Sequence, residues 1–308
     1  MPRIGVLLPT FDAFRHGRPL PVAGFAARAE ALGFDGVWVG DHLLCPAPVL
    51  DAVTTLAGCA AVTERIELGF SVMLLGMRPP AWTAKQLSTL QHLSGDRVAL
   101  GVGVGGEFPQ EYEAAGVPTR GRGERLNREL AALADRLDGS SLGLEPTAPM
   151  PRLLVGGRSE AAQRRAVRFA DSWMPMWMSP TTLAEQANRL GELADQADRP
   201  TPKLALLMLV HAAHPGREAH GRAQADGHLR GQYGMPLARV EHWTGLGEPA
   251  AIAEFVGRYL AVGVDEVVLM PLGVEQLEQL ERLAEVLEHV RVDADAYHRS
   301  AQDRSAVQ

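Results

Sequence analysis

Short runs of β-branched and aliphatic residues alternate with helix-period segments along nearly the whole chain, and this alternation limits the folds open to it. The apolar runs are "RIGVLLP" from Arg3, "GVWVGDH" from Gly36, "IELGFSVML" from Ile66 and "RVALGVGVG" from Arg97. They continue with "RLLVGG" from Arg152, "SWMPMWM" from Ser172, "KLALLMLVH" from Lys203 and "EVVLMPLG" from Glu266. Near-continuous apolarity suits parallel strands covered on both faces better than half-exposed antiparallel ones. Between them lie amphipathic segments. Val22, Phe25, Ala26, Ala29 and Leu32 share one helical face, and so do Leu126, Leu130, Leu133 and Leu137. Asp51, Ser179-Pro180 and Pro249 stand where helices should start. Eight β-then-α units in a chain of 308 residues predict an α/β fold, a (β/α)8 TIM barrel. A doubly wound sheet has the same order of elements and is the runner-up.

The expected layout is one barrel domain over residues 1–295, with insertions near 138–151 and 213–248, and a flexible C-terminal tail at 296–308. Long insertions in barrels shape the mouth of the site, so both segments are candidate substrate-contacting or lid elements. The net charge of −7 argues against nucleic acid as a partner. Cys45 and Cys59 are the only cysteines and form no C-x-x-C, which excludes a disulfide framework and a zinc knuckle. No apolar run has the length of a membrane span, and the first residues lack a signal-peptide core. A cytoplasmic protein with no membrane partner is expected.

Gly101, Gly103 and Gly106 fall in the spacing G-x-G-x-x-G. A dinucleotide-binding turn needs that spacing between the first strand and a helix. Here it lies in the fourth unit, and the next clear helical pattern begins near Glu124, so the fingerprint is a decoy. Inside a strand and at its exit, these glycines would instead let a flat ligand approach the backbone.

Functional groups in such barrels collect where strands end on the C-terminal side. The second strand delivers Asp41 and His42, the third Ser71, the fourth Glu107. The fifth delivers Gly156-Gly157-Arg158-Ser159, the sixth Trp177 and the seventh His211. His42 can move a proton near neutral pH or cap its loop. Glu107 is either a carboxyl whose pKa is raised by partial burial or a solvated loop residue. The glycine turn can cradle a phosphate at a helix start or be an ordinary turn with a serine cap. Trp177 can wall the barrel or stack on an aromatic ligand. Arg164, Arg165 and Arg168 read as a solvated helix face. No metal site is expected, since His211 and His214 lack paired carboxylates. Lys85 and Lys203 are the only lysines and neither ends the sixth strand, which excludes a Schiff-base aldolase of that kind.

Several segments, in order, resemble the luciferase-like monooxygenase superfamily. They are "LGFDGVWVGDHLL", "TTLAGCAAVTERIELGFSVMLL", "AKQLSTLQHLSGDRVALGVGVG" and "LLVGGRSEAAQRRAVRFADSW", with "GVDEVVL" agreeing near the C-terminus. "VWVGDH" resembles the branch that depends on the deazaflavin coenzyme F-420. The resemblance implies a TIM barrel, a homodimer, and either F-420 or, as the alternative, FMN. It also implies His42 as an acid/base residue with Asp41 beside it, and Glu107 as a proton donor, though its loop is one residue longer than in the sugar-phosphate members. A bulge with a non-prolyl cis peptide at Ser71-Val72 would lie against the coenzyme ring, near Gly103, Gly105 and Trp177. Gly156, Gly157, Arg158 and Ser159 would hold its phosphate. The segment 138–151 is short for the family, which would leave the site open.

The expected function is hydride transfer between the reduced deazaflavin and a small organic substrate bearing C=C, C=N or C=O, or an alcohol. The alternative is an FMN monooxygenase using reduced flavin from a partner reductase and O2. A third reading, from another class, is a non-catalytic flavin-binding barrel.

Overall fold

The computed structural model describes residues 1–17 and 21–305, with the backbone alone described from 293 onward. The strands are β1 (Arg3–Leu7), β2 (Gly36–Val39), β3 (Glu67–Met73), β4 (Val98–Val102), β5 (Arg152–Gly156), β6 (Ser172–Met174), β7 (Lys203–Ala212), β8 (Thr244–Gly247) and β9 (Glu266–Pro271). The helices are α1 (Val22–Ala31), α2 (Ala52–Ala60), α3 (Pro80–Ser94), α4 (Gln110–Ala114), α5 (Arg122–Leu137), α6 (Glu160–Phe169), α7 (Pro180–Gln196), α8 (Glu218–Tyr233), α9 (Pro249–Leu260) and α10 (Gln276–Ser305). Local chemistry sets many boundaries. Asp51 accepts the N–H of Thr54 at 2.8 Å to start α2, Ser159 caps α6 and Ser179 caps α7. Gly95, at φ 63°, ends α3 in the left-handed conformation.

All strand pairings are parallel. The order β6-β5-β4-β3-β2-β1-β9-β7 is closed by β6 pairing with β7, so β1 to β7 and β9 form an eight-stranded TIM barrel. Leu209 and Val210 of β7 pair with β9 on one edge and with β8 on the other. β8 therefore continues the edge that β6 leaves early, as a ninth strand that the sequence reading did not contain. Apolar side chains alternate along each strand. Ile4, Val6, Val37, Val39, Leu68, Phe70 and Leu100 face the helices, while Leu7, Trp38, Ala99, Leu154, Ala205, Leu207 and Val268 fill the barrel. Trp38 fills the space that a side chain on Gly69 would need: a Cβ there would stand 2.2 Å from the indole.

The N-terminal end of the barrel is closed by charge. Arg152, the first residue of β5, bonds Glu67 at 2.6 Å and Glu266 at 2.9 Å, and Arg3 reaches the same two carboxylates at 3.0 and 3.4 Å.

The two expected insertions differ. Residues 138–151 contain no helix or strand and include a cis Glu145-Pro146 bond. Residues 213–248 hold α8, two 3-10 turns and β8. Ala225 and Leu229 of α8 pack in one cluster with the barrel-interior residues Leu207, Leu209 and Met270, so α8 lies over part of the open end. Gly231 lets it do so, because a Cβ there would fall 1.7 Å from the Ala13 carbonyl oxygen. Of the tail expected at 296–308, the side chains and residues 306–308 lie outside the described residues. No described helix is long and apolar enough to cross a membrane.

Candidate active site

The chain leaves β2 through Gly40 into Asp41 and His42. Asp41 is 5% exposed, and both its oxygens are occupied. Arg78 bonds it at 2.5 and 3.2 Å, and the N–H of Leu74 donates to it at 2.9 Å. It ties the exit of β2 to the exit of β3.

His42 is held differently. Its Nδ1 lies 3.2 Å from both carboxylate oxygens of Glu111, a residue of α4 that is only 1% exposed. Glu111 also accepts the N–H groups of Leu43 at 2.7 Å and Leu44 at 3.3 Å. A carboxylate accepts, so Nδ1 donates, and Nε2 is left without a protein partner among the described residues. Phe11 and Phe108 stand edge-on to the ring, with centroids 6.0 and 5.1 Å away. The sequence reading missed Glu111. No signal in the sequence marked it, since Glu107, four residues earlier, lies outside α4, which begins at Gln110.

Glu107 is exposed by area at the rim, yet the surrounding protein withholds enough water to raise its pKa above the ordinary carboxylate range. His42 opposes that rise and the nearby Glu111 adds to it. Burial pushes the neighbouring Cys45 thiol up to about 11, so it is not a thiolate nucleophile near neutral pH.

The Ser71-Val72 peptide is cis, and the pairing of β3 with β4 shifts register between Phe70 and Met73. This bulge explains the glycines of β4. A Cβ on Gly101 would meet the Phe70 carbonyl oxygen at 2.1 Å, and one on Gly103 would meet Val72 at 2.5 Å. A Cβ on Gly156 would meet Val72 at 2.9 Å. The room left by Gly103 and Gly156 is thus filled by Val72, not held open for a ligand as expected of Gly103. Gly105, at φ 62°, turns the chain beside Leu74 and Tyr112, whose hydroxyl donates to the Val104 carbonyl.

Gly157, Arg158 and Ser159 are exposed at the start of α6. Gly157 has φ 117°, and its carbonyl accepts the Trp173 indole N–H at 2.8 Å. Arg158 stacks over Trp177, its guanidinium 5.9 Å from the ring, and Tyr233 of α8 meets the same ring edge-on at 6.0 Å. The Trp177 Nε1 is buried without a partner. Val72, Met176, Trp177 and Tyr233 pack as partly buried apolar residues on the barrel-interior cluster.

His211 is the penultimate residue of β7, at the strand end where it was expected, with Nδ1 bonded to the Leu272 carbonyl at 2.7 Å, and burial lowers its pKa. One other expectation changes. Arg165 is not on a solvated face: it is buried and bonds Asn127 at 2.7 Å. Among the described residues no group of three or more His, Cys, Asp and Glu is placed to hold a metal ion.

The model of the luciferase-like monooxygenase family matches residues 3–260. An uncharacterized protein of Mycobacterium tuberculosis is 31% identical over 211 residues, covering 58% of this chain and 72% of that one. Among solved structures, an F-420-dependent secondary alcohol dehydrogenase in complex with an F-420–acetone adduct superposes with a TM-score of 0.78 at 17% identity. The match covers 94% of this chain and 99% of the other. The oxygenating constituent of 3,6-diketocamphane monooxygenase of Pseudomonas putida, a type II Baeyer–Villiger enzyme in complex with FMN, gives 0.72 at 16% identity over 92% and 97%. At these identities the structural likeness is one of fold.

Proposed function

The chain belongs to the luciferase-like monooxygenase family, and from that premise we propose that it transfers hydride between the deazaflavin coenzyme F-420 and a small organic substrate, with C=O and the matching secondary alcohol as the leading pair. The observation that carries this reading is the His42–Glu111 pair, whose outer nitrogen is unpartnered, beside Glu107, a carboxyl with a raised pKa.

The residues present fit a flat ring bearing a phosphate tail. Val72, Met176 and Trp177 offer an apolar wall, and the buried Trp177 Nε1 is a donor in need of an acceptor. The exposed Gly157-Arg158-Ser159 turn places backbone N–H groups and a guanidinium where a phosphate can be met. When bound, a deazaflavin supplies a hydride-bearing carbon and activates oxygen poorly.

The protein's own share of the work is proton handling. Glu111 fixes the tautomer and angle of His42, so that Nε2 can hold or accept the proton of a substrate oxygen. Glu107 keeps its proton to a higher pH than an ordinary glutamate and can supply it at the rim. Phe11 and Phe108 stand edge-on to the His42 ring and limit the water that reaches it.

Fluorescence titration with F-420 and, separately, with FMN tests this reading. Micromolar F-420 binding with weak FMN binding is expected, and Arg158→Ala should weaken it by about tenfold. Tight FMN binding with weak F-420 binding would install the oxygen-dependent reading in its place. Binding of neither would leave a non-catalytic barrel.

A further inference from the structure

A cavity of about 400 Å³ opens beside His42, between the chain leaving β2, the turn that follows β3 and the end of α4. Leu43, Val49, Leu74, Met77, Pro79 and Ala115 form most of its wall, which also includes Asp41, Asp51 and Arg78. Those three charges are engaged with one another. Arg78 pairs with Asp41 at 2.5 Å and with Asp51 at 3.5 Å, and Asp51 also caps α2. None is left to recognise an ionised ligand.

The loop that forms the cavity's rim, residues 43–50, reads "LLCPAPVL" and carries no charge. Leu43 and Leu44 are 54% and 46% exposed, and Leu50 is also exposed. Of this loop Leu43 and Val49 line the cavity, and exposed apolar side chains at the edge of a cavity of this size mark a place for an apolar ligand. His42 belongs to the same wall, so the cavity and the candidate site meet at that residue.

We propose that this cavity receives the hydrocarbon portion of an uncharged ketone or secondary alcohol, whose oxygen-bearing carbon stays at His42. The inference rests on the oxidoreductase reading of that site and adds the substrate class: lipophilic, without a carboxylate or phosphate.

The test uses the full chain without coenzyme. Nile red, a neutral apolar dye, is bound and then displaced by a series from 2-hexanone to 2-undecanone. The competing dissociation constant should fall about three- to fourfold per added methylene and level off once the cavity is full. Keto acids of matched length with a terminal carboxylate should show no such gain. Ala115→Trp, which fills the cavity, should flatten the series; should that variant fail to fold, Leu43→Asp on the exposed loop should do the same. A flat series in the wild type, or an unchanged slope in the folded variants, overturns the proposal. So does a flat series in which Leu43→Asp alters the oligomeric state, since a second copy then covers the loop. A clear slope without coenzyme binding keeps the cavity and removes the hydride-transfer reading; coenzyme binding with a flat series does the reverse.

Discussion

The two ends of the barrel treat charge in opposite ways. At the N-terminal end, Arg3, Glu67, Arg152 and Glu266 neutralise one another beneath Trp38, and the Arg152 guanidinium lies 5.9 Å from the indole ring. Burial alone would lower the pKa of Arg152, but the hydrogen bonds and charges of Glu67 and Glu266 raise it overall. At the mouth, Glu107 has no ion-pair partner among the described residues, His42 keeps one nitrogen unpartnered, and leucines face water. A satisfied cluster holds the barrel together and has nothing left to offer a ligand. An unsatisfied one weakens the fold locally and is free to do chemistry.

The largest expected separation between the two ends is in turnover. His42→Ala should lower kcat by about 10²- to 10⁴-fold in an F-420-dependent assay while the melting temperature stays close to that of the wild type. Unfolding of the variant would show that the mouth histidine is structural and erase the contrast. Arg152→Met at the other end should behave conversely. It leaves the largely buried Glu266 and Glu67 facing each other with only Arg3 to compensate, and should cost about 3 kcal/mol in urea unfolding. Coenzyme affinity of the folded variant should not change. A loss of affinity would mean that the two ends are coupled through the barrel.

The two ends were not equally legible in the sequence. The eight barrel strands stood out because parallel strands buried on both faces are written almost entirely in apolar residues. α8 did not, because the residues it buries are Gly221, Ala225, His228, Leu229 and Gln232, which make no apolar stripe. β8 was lost with it inside the same insertion. The glycines of β4 were visible, but their purpose was not: the side chain that fills their space, Val72, comes from another strand. The Ser71-Val72 bulge was expected through family resemblance alone, and no periodicity points to it. His42 could be chosen from its place at a strand exit. Its partner Glu111 could not, since a buried carboxylate and a solvated one are the same letter until the fold brings them to a donor 69 residues away.

The smallest expected effect is in the pH dependence of stability, and there the two ends should have opposite signs. Glu107 has a folded pKa above the ordinary 4.5, chiefly because the surrounding protein withholds water from it, so the folded state binds its proton more tightly than the unfolded chain does. Its contribution is fully present below 4.5 and is lost as pH rises through the folded value. Glu30, at the N-terminal end, is the reverse case. Burial would raise its pKa, but the N–H groups of Ile66, Arg65 and Glu64 hold it below 4.5. Its contribution is present above 4.5 and is lost as pH falls through the folded value. Melting temperatures of Glu107→Gln and Glu30→Gln, each referred to the wild type across an acid-to-neutral series, should therefore diverge. The wild type should lose ground to Glu107→Gln as pH rises, and to Glu30→Gln as pH falls. Parallel slopes would mean that the rim carboxyl is solvated after all, and with it would go the proton donor assigned to the mouth.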